Sequence, residues 1–366
     1  MKQEESAFDS NWYTNKELLQ KQSRPLQPYF AKAFDFIQLW LSGKEQFELQ
    51  TSGSTGTPKI IRVTRKQLSS SAAMTGKALD LRPGTKALVA LNVEYVAGLM
   101  MLVRGMELNW DLTIVEPVSN PLLVLGESKQ FDFTALVPMQ LTAALKDNQT
   151  FGRVNSFGKI LLGGAPVGIA LAEKISTMDN PVYQSYGMTE TVSHVALKRL
   201  NGSDIKDEYS FLPEVNAGID SRGCLYVSGP MTNFEKIQTN DLIELTGESA
   251  FKWLGRIDNV INSGGVKIIL DRVDEQIAKV FYELNYKATF YCWYQPDEKL
   301  GQKLILIVEK TGKNFAEQKL LEEIRKAVSV YQTPKHVYFA NKFFKTQTDK
   351  IDKRRTAEML FTSING

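Results

Sequence analysis

Short, continuously apolar runs recur through the first half of the chain: Lys86-Ala-Leu-Val-Ala-Leu91, Leu112-Thr-Ile-Val115, Phe133-Thr-Ala-Leu-Val137 and Lys159-Ile-Leu-Leu162. A run without polar alternation describes a strand covered on both faces. Residues 94–106 and 139–146 carry helical periodicity between such runs, which predicts parallel strands joined by crossover helices. Ile243-Glu-Leu245 and Phe251-Lys-Trp-Leu254 flank Thr246-Gly-Glu-Ser249, a hairpin pattern. From Asn259 onward the pattern changes to a strand over 266–269, a helix opened by Asp271 with Val273, Ile277, Val280 and Phe281 on one face, and strands over 288–294 and 303–309 around Gln295-Pro-Asp-Glu298. A last helix is expected from Asn314, with Glu317 completing a capping box and Leu320, Leu321, Ile324 and Val328 as its apolar stripe. The predicted fold class is α/β: a large N-terminal domain of layered α/β type with a mixed sheet over residues 1–254, a joint at 255–258, and a smaller mobile α+β domain over 259–366. There is no internal repeat and no long low-complexity linker.

The segment Thr51-Ser-Gly-Ser-Thr-Gly-Thr-Pro-Lys59 has almost no hydrophobic content. Gly53 and Gly56 permit turns that converge backbone N–H groups on an anion, and Thr51, Ser52, Ser54, Thr55 and Thr57 add hydroxyl donors. Lys59 adds a full positive charge. The pattern is not Walker A, because Pro58 intervenes and the following residues read as a strand, as do Phe47-Glu-Leu-Gln50 before it. The loop therefore caps a hairpin. Taken alone it is either a phosphate-holding loop or a flexible Ser/Gly turn.

Composition narrows the function classes. The formal net charge of +3 gives no support to nucleic acid as a partner. The basic stretch 342–355 interleaves with Asp349 and Asp352 and lacks a base-stacking platform, so it reads as a solvated face that also meets phosphates. Cys224 and Cys292 are too few for a disulfide framework, and no Cys/His cluster marks zinc. The polar, acidic N-terminus and the absence of a long apolar run argue for a cytoplasmic protein without a membrane span. His194 and His336, the two histidines, read as structural, since no Ser or Cys elbow accompanies either. Trp253 and the other tryptophans read as core.

Three further constellations accompany the loop. Tyr183-Gln-Ser-Tyr-Gly-Met-Thr-Glu190 gathers an aromatic face in Tyr186, a flexible Gly187, a hydroxyl in Thr189 and a carboxylate in Glu190 that suits magnesium between phosphates. Asp241 offers acceptors for vicinal ribose hydroxyls, and Arg256 stands near it across the predicted hairpin. Lys345-Thr-Gln-Thr-Asp-Lys-Ile-Asp352 places Lys350 in a polar loop at the far end of the small domain.

This ordered series, from Leu49 to Lys353, resembles the adenylate-forming superfamily of acyl-CoA synthetases, luciferases and peptide-synthetase adenylation domains. The resemblance implies that residues 51–59 hold ATP phosphates, that Gly164 and Ala165 in Leu161-Leu-Gly-Gly-Ala-Pro166 flank adenine, and that Tyr186 and Gly187 belong to the same nucleotide site. It implies that Asp241 and Arg256 hold ribose, that Asp258 is the hinge, and that Lys350, Thr189 and Glu190 serve adenylation with magnesium. It further implies that Gly264, Gly265 and Lys267 form the loop that enters for thioester formation. The cofactors and partners implied are ATP, magnesium ion, coenzyme A and a small-molecule carboxylic acid.

Within that superfamily, the chain is most similar to compact bacterial o-succinylbenzoate-CoA ligases, where an arginine nine positions after the pocket residue binds the aromatic carboxylate. Here Tyr95 stands at the pocket position and Arg104 follows at that spacing. A buried spectator carboxylate requires a cation. Arg104 also has a plainer reading, a helix-surface arginine paired with Glu94 or Glu107. Against the family pattern, only fifty residues precede Thr51, so the large domain is expected to be trimmed at its N-terminus. Asn240 replaces a glycine before the ribose aspartate, a change that left-handed backbone would tolerate, and Asp349 replaces a glycine before Lys350. Alternative readings are a ligase for another aryl or short acyl acid, an adenylating enzyme that loads a carrier protein, and an inactive nucleotide sensor.

Overall fold

A computed structural model describes residues 12–20, 24–50, 60–126, 129–312, 316–346 and 351–365. Residues 51–59 of the Ser/Gly loop, Asn314, Asp349 and Lys350 lie outside the described residues.

The four apolar runs become neighbouring strands because each has two faces to bury. Asp111–Val115, Lys86–Val89, Phe133–Leu136, Lys159–Leu162 and Val182–Gly187 are consecutive and parallel in a twelve-stranded sheet. Alternate side chains supply separate cores. Ala87 and Val89 face one way, toward Phe30, Ile37 and Met101, while Leu88 and Ala90 face the other, toward Leu141 and Ile175. Helices Val96–Glu107, Pro138–Lys146 and Ile169–Ser176 make the crossovers. After Val182–Gly187 the sheet continues antiparallel through His194–Arg199, Tyr209–Phe211, Ala250–Arg256, Ile237–Leu245, Cys224–Ser228 and Asn216–Ile219. Trp12–Thr14 closes the other edge antiparallel to Asp111–Val115.

Gln46–Gln50 and Ile60–Thr64 pair as an antiparallel hairpin, with Gln50 opposite Ile60, so the Ser/Gly loop leaves and returns at adjacent backbone positions. The hairpin rests on Trp40, Leu68, Met100, Val103 and Val192.

A separate five-stranded sheet takes the rest of the chain, in the order Val266–Ile269, Val260–Ser263, Gly301–Glu309, Phe290–Asp297, with Val337–Ala340 parallel to Gly301–Glu309. Leu304, Leu306 and Val308 pack under helices Leu270–Glu283 and Glu317–Ala327, while Ile305 and Ile307 pack under helix Lys353–Asn365. The layered α/β class with a large mixed sheet and a smaller sheet region is thus as the pattern predicts. Some details differ. Glu317 does not cap its helix: its carboxylate accepts from the backbone N of Val337 at 3.0 Å and meets His336 at 3.6 Å, tying helix to strand. Gln295 and Pro296 belong to a strand instead of a turn, which Pro tolerates because that strand is an edge.

The chain passes between the sheets within the single turn Ile257–Asn259. Gly255, just before it, has φ +141°, and a Cβ there would come within 2.5 Å of Ile269. Only glycine lets the small sheet approach that closely.

Candidate active site

Crossover helices leave the carboxyl ends of parallel strands facing a common space. A cavity of about 1990 Å³ occupies that space and extends to the small sheet. It brings together Tyr95, Arg104, Gly164, Ala165, Tyr186, Gly187, Thr189, Glu190, Asp241, Arg256 and Lys267 from the sequence-predicted set. Asp258, Gly264 and Gly265 are not in its lining. Gly264 and Gly265 instead form the two-residue turn between Val260–Ser263 and Val266–Ile269, both with positive φ, as a type I′ hairpin requires.

The Asp241 carboxylate is fixed by side chains on its own sheet. Asp241 is directly opposite Arg256 in the hairpin register, beside a register shift between Leu242 and Ile243. Its two carboxylate oxygens accept from Tyr186 Oη at 2.6 Å and Trp253 Nε1 at 3.2 Å, and Arg256 Nη1 stands 3.8 Å away. Burial, then the adjacent Asp241 charge, push the Tyr186 hydroxyl far above the usual tyrosine range, so it stays a donor. Each carboxylate oxygen retains a second acceptor site, the capacity a pair of vicinal hydroxyls needs. Trp253, assigned to the core from sequence alone, is therefore also a site residue. The Tyr186 ring is held edge-on to Phe251 and tilted against Tyr209.

Arg256 Nη2 binds Asp258 at 2.7 Å, and the Asn240 amide donates to Asp258 at 3.3 Å while accepting from Arg222 at 3.2 Å. Asn240 is not among the residues with left-handed backbone. Its side chain bridges two charged groups, and this bridging, not conformational tolerance, is its role beside Asp241.

Beyond Tyr186, Thr189–Thr191 forms one 3₁₀ turn that buries Thr189 and exposes Glu190. The Glu190 carboxylate has no hydrogen-bond or ion-pair partner among the described residues. Val192 follows at φ +65°, ψ −47°, and the Ser193 N–H closes a γ-turn on Thr191 C=O at 2.7 Å. A buried β-branched residue in that conformation stores about 1–3 kcal/mol of strain. The strained turn sets Glu190 on one side and Ser193-His194 on the other.

Arg104 is 2 % exposed. The surface ion-pair reading of this residue is therefore wrong: Glu94 pairs with Lys32 at 2.5 Å, and Glu107 accepts from Trp40 Nε1 at 3.1 Å. Helical periodicity turns Arg104 inward, where Nη2 donates to Ser193 Oγ at 2.9 Å and Nη1 lies 3.9 Å from Met101 Sδ. Its Nε has no partner among the described residues. Burial lowers the guanidinium pKa to about 9, which leaves it charged at neutral pH. Burial, and secondarily the Arg104 charge, push His194 well below its ordinary range, so this imidazole is neutral. Tyr95, the residue preceding helix Val96–Glu107, is 53 % exposed at the cavity wall.

On the small-sheet side the cavity meets Lys353, whose Nζ pairs with Asp274 at 2.9 Å. Lys345 and Ile351 form an antiparallel bridge, so the segment containing residue 350 starts and ends at neighbouring points. The residues fit a nucleotide with magnesium: an oriented carboxylate for ribose, an aromatic ring beside it, and an uncommitted carboxylate at Glu190. Among the described residues, no group of three or more His, Cys, Asp or Glu forms a metal cluster, so Glu190 would share the ion with phosphate oxygens. Cys224 and Cys292 are buried free thiols. No helix among the described residues is long and apolar enough to cross a membrane.

Comparison with known proteins identifies the family and the fold. The AMP-binding enzyme family matches residues 49–215. A solved acyl-CoA synthetase (AMP-forming)/AMP-acid ligase II-like protein from Dyadobacter fermentans is 59% identical, covers 95% of this chain and 99% of its own, and superposes with a TM-score of 0.66. The chain belongs to the AMP-binding enzyme family. The 2-succinylbenzoate–CoA ligase of Staphylococcus aureus strain JH9 is 24% identical over 329 residues, covering 83% of this chain; the match spans 65% of that relative's length. The O-succinylbenzoate coenzyme A synthetase of Bacillus subtilis, solved with ATP and magnesium ion, is 21% identical with a TM-score of 0.69, over 85% of this chain and 69% of that one, and shares the fold.

Proposed function

We propose that this protein is an AMP-forming acid–thiol ligase whose substrate acid carries a second carboxylate, with o-succinylbenzoate as the acid and coenzyme A as the thiol. The observation that carries this reading is one cavity lined by Asp241, Glu190 and the buried guanidinium of Arg104, which has no acidic partner among the described residues. A buried cation without a counter-charge is costly unless a ligand brings one. The reaction takes two steps. A carboxylate oxygen of the acid attacks the α-phosphorus of ATP and pyrophosphate leaves; the thiol sulfur then attacks the acyl carbon, AMP leaves, and the thiol proton passes to solvent.

Asp241 and Arg256 hold ribose, Tyr186 with Gly164 and Ala165 line the adenine side, and Thr189 faces the α-phosphate. Residues 51–59 and Lys350 neutralise phosphate charge in the first step. Glu190 holds magnesium, which neutralises charge between phosphate groups. The small sheet turns about Asp258, exchanging Lys350 for the Gly264-Gly265 turn in the second step, with Lys267, already at the cavity wall, moving with it. The test is coenzyme A thioester formation from o-succinylbenzoate, ATP and magnesium. Lys350→Ala should lose pyrophosphate release while keeping thioester formation from preformed adenylate, and Arg104→Ala should lose on the order of 100-fold in kcat/KM for the dicarboxylate only. Unchanged turnover of the dicarboxylate in Arg104→Ala would eliminate the substrate assignment.

A further inference from the structure

We infer that Thr75, His194 and Ser193 form a neutral hydrogen-bonded relay that positions Arg104 and thereby selects acids with a second carboxylate. This rests on the ligase reading above and adds to it the residues that make the arginine selective.

One assignment of protons satisfies every bond in the relay. Thr75 Oγ1 lies 3.0 Å from the backbone carbonyl of Ser71, which only accepts, so the single threonine proton is committed there. Thr75 Oγ1 must then accept from His194 Nε2, 3.2 Å away. A neutral ring protonated at Nε2 has an acceptor at Nδ1, and Ser193 Oγ, 3.3 Å away, donates its proton to it. The Ser193 oxygen is left with lone pairs alone, and these receive Arg104 Nη2 at 2.9 Å.

The consequence concerns charge. A carboxylate partner would orient a guanidinium as well as a serine oxygen does, but it would also cancel the charge that the substrate is meant to meet. Neutral partners fix the geometry and leave the cation unquenched. No carboxylate lies within ion-pair distance of Arg104 among the described residues, and its Nε and Nη1 donors have no oxygen partner there. His194 is 7 % exposed and Thr75 fully buried, so water is kept from the Thr75–His194 bond, while Ser193 is half-buried at the cavity wall, where it meets Arg104. His194 is a positioning residue: it acts through Ser193 on Arg104.

The experiment uses the full chain and two acids, o-succinylbenzoate and 3-benzoylpropionate. The second has the same reacting arm but lacks the ring carboxylate. Acid-dependent pyrophosphate release is measured, with calorimetric binding of each acid as a second readout. Ser193→Ala and His194→Leu should raise KM for the dicarboxylate about tenfold with kcat nearly unchanged, and leave 3-benzoylpropionate alone. His194→Asn, which keeps an acceptor near the Nδ1 position, should restore most of the loss. Equal losses for both acids in Ser193→Ala would assign these residues to packing and overturn the inference. So would an unmoved dicarboxylate KM in Ser193→Ala while Arg104→Ala raises it. Ser193→Ala removes one oxygen and decides the matter if His194→Leu does not fold. Failure of the ligase reading looks different: no acid then supports pyrophosphate release in the unaltered protein.

Discussion

His194 and Arg104 stand together at the cavity, and the imidazole stays neutral because burial disfavours its charged form and the neighbouring Arg104 cation adds to that effect. The linkage has a definite sign. The unfolded chain protonates this histidine below about pH 6.5, whereas the folded chain resists until a lower pH, so the folded state loses relative stability as pH falls below that value. Urea midpoints at pH 7.5 and 5.5 should therefore drop more for the native sequence than for His194→Gln, and an equal drop would show that the residue titrates normally. The resemblance to o-succinylbenzoate-CoA ligases singled out Arg104 after Tyr95 but left its burial open. Sequence reading missed the partnership because Ser193 is 89 positions from Arg104 and Thr75 is 119 from His194, and periodicity carries no information over such separations. Trp253 was missed as a site residue for another reason: an indole packs as core while its N–H serves Asp241, and composition shows only the first role.

At the scale of elements, four of the five parallel strands were legible to within a residue or two, because wholly apolar runs have one stable destination, whereas Val182–Gly187, with its polar residues, read only as a candidate site. Val260–Ser263, Val337–Ala340 and helix Lys353–Asn365 were not legible. The last of these is fixed by partners elsewhere, as where Tyr291 Oη donates to Lys353 C=O and Lys353 Nζ pairs with Asp274. Asp274 is thus a clasp: its other oxygen accepts from Cys292 N at 2.6 Å, so one side chain joins helix Leu270–Glu283, strand Phe290–Asp297 and the C-terminal helix. Asp274→Ala should destabilise by about 2–3 kcal/mol, less than a fully buried pair because its members are 22% and 27% exposed. Denaturant unfolding checks this, and adenylation should fall with it if the C-terminal helix fixes the segment carrying residue 350. Wild-type stability in Asp274→Ala would show that the clasp contributes nothing.

For the molecule as a whole, the contacts between the two sheets fall into two kinds. Asp271 accepts from the Arg256 backbone N, just before the turn Ile257–Asn259, and from the Asn259 amide at its end, so these bonds sit at the pivot, where rotation moves them least. The bond from Tyr282 Oη to Glu173 joins helix Leu270–Glu283 to helix Ile169–Ser176, across from the joint, and the proposed rotation must break it. Both of these side chains are exposed, and the native thiols Cys224 and Cys292 are buried. Cysteines placed at 173 and 282 can therefore be joined selectively by a short bismaleimide with a cleavable disulfide in its arm. The joined protein should retain one half-reaction at close to its normal rate and lose about tenfold or more in complete thioester turnover, with recovery when the arm is reduced. Full turnover in the joined state would mean that a single arrangement serves both steps. The Gly264-Gly265 turn, absent from the cavity lining in this arrangement, would then have no route to the thioester step, and the two-step use of one cavity would have to be abandoned.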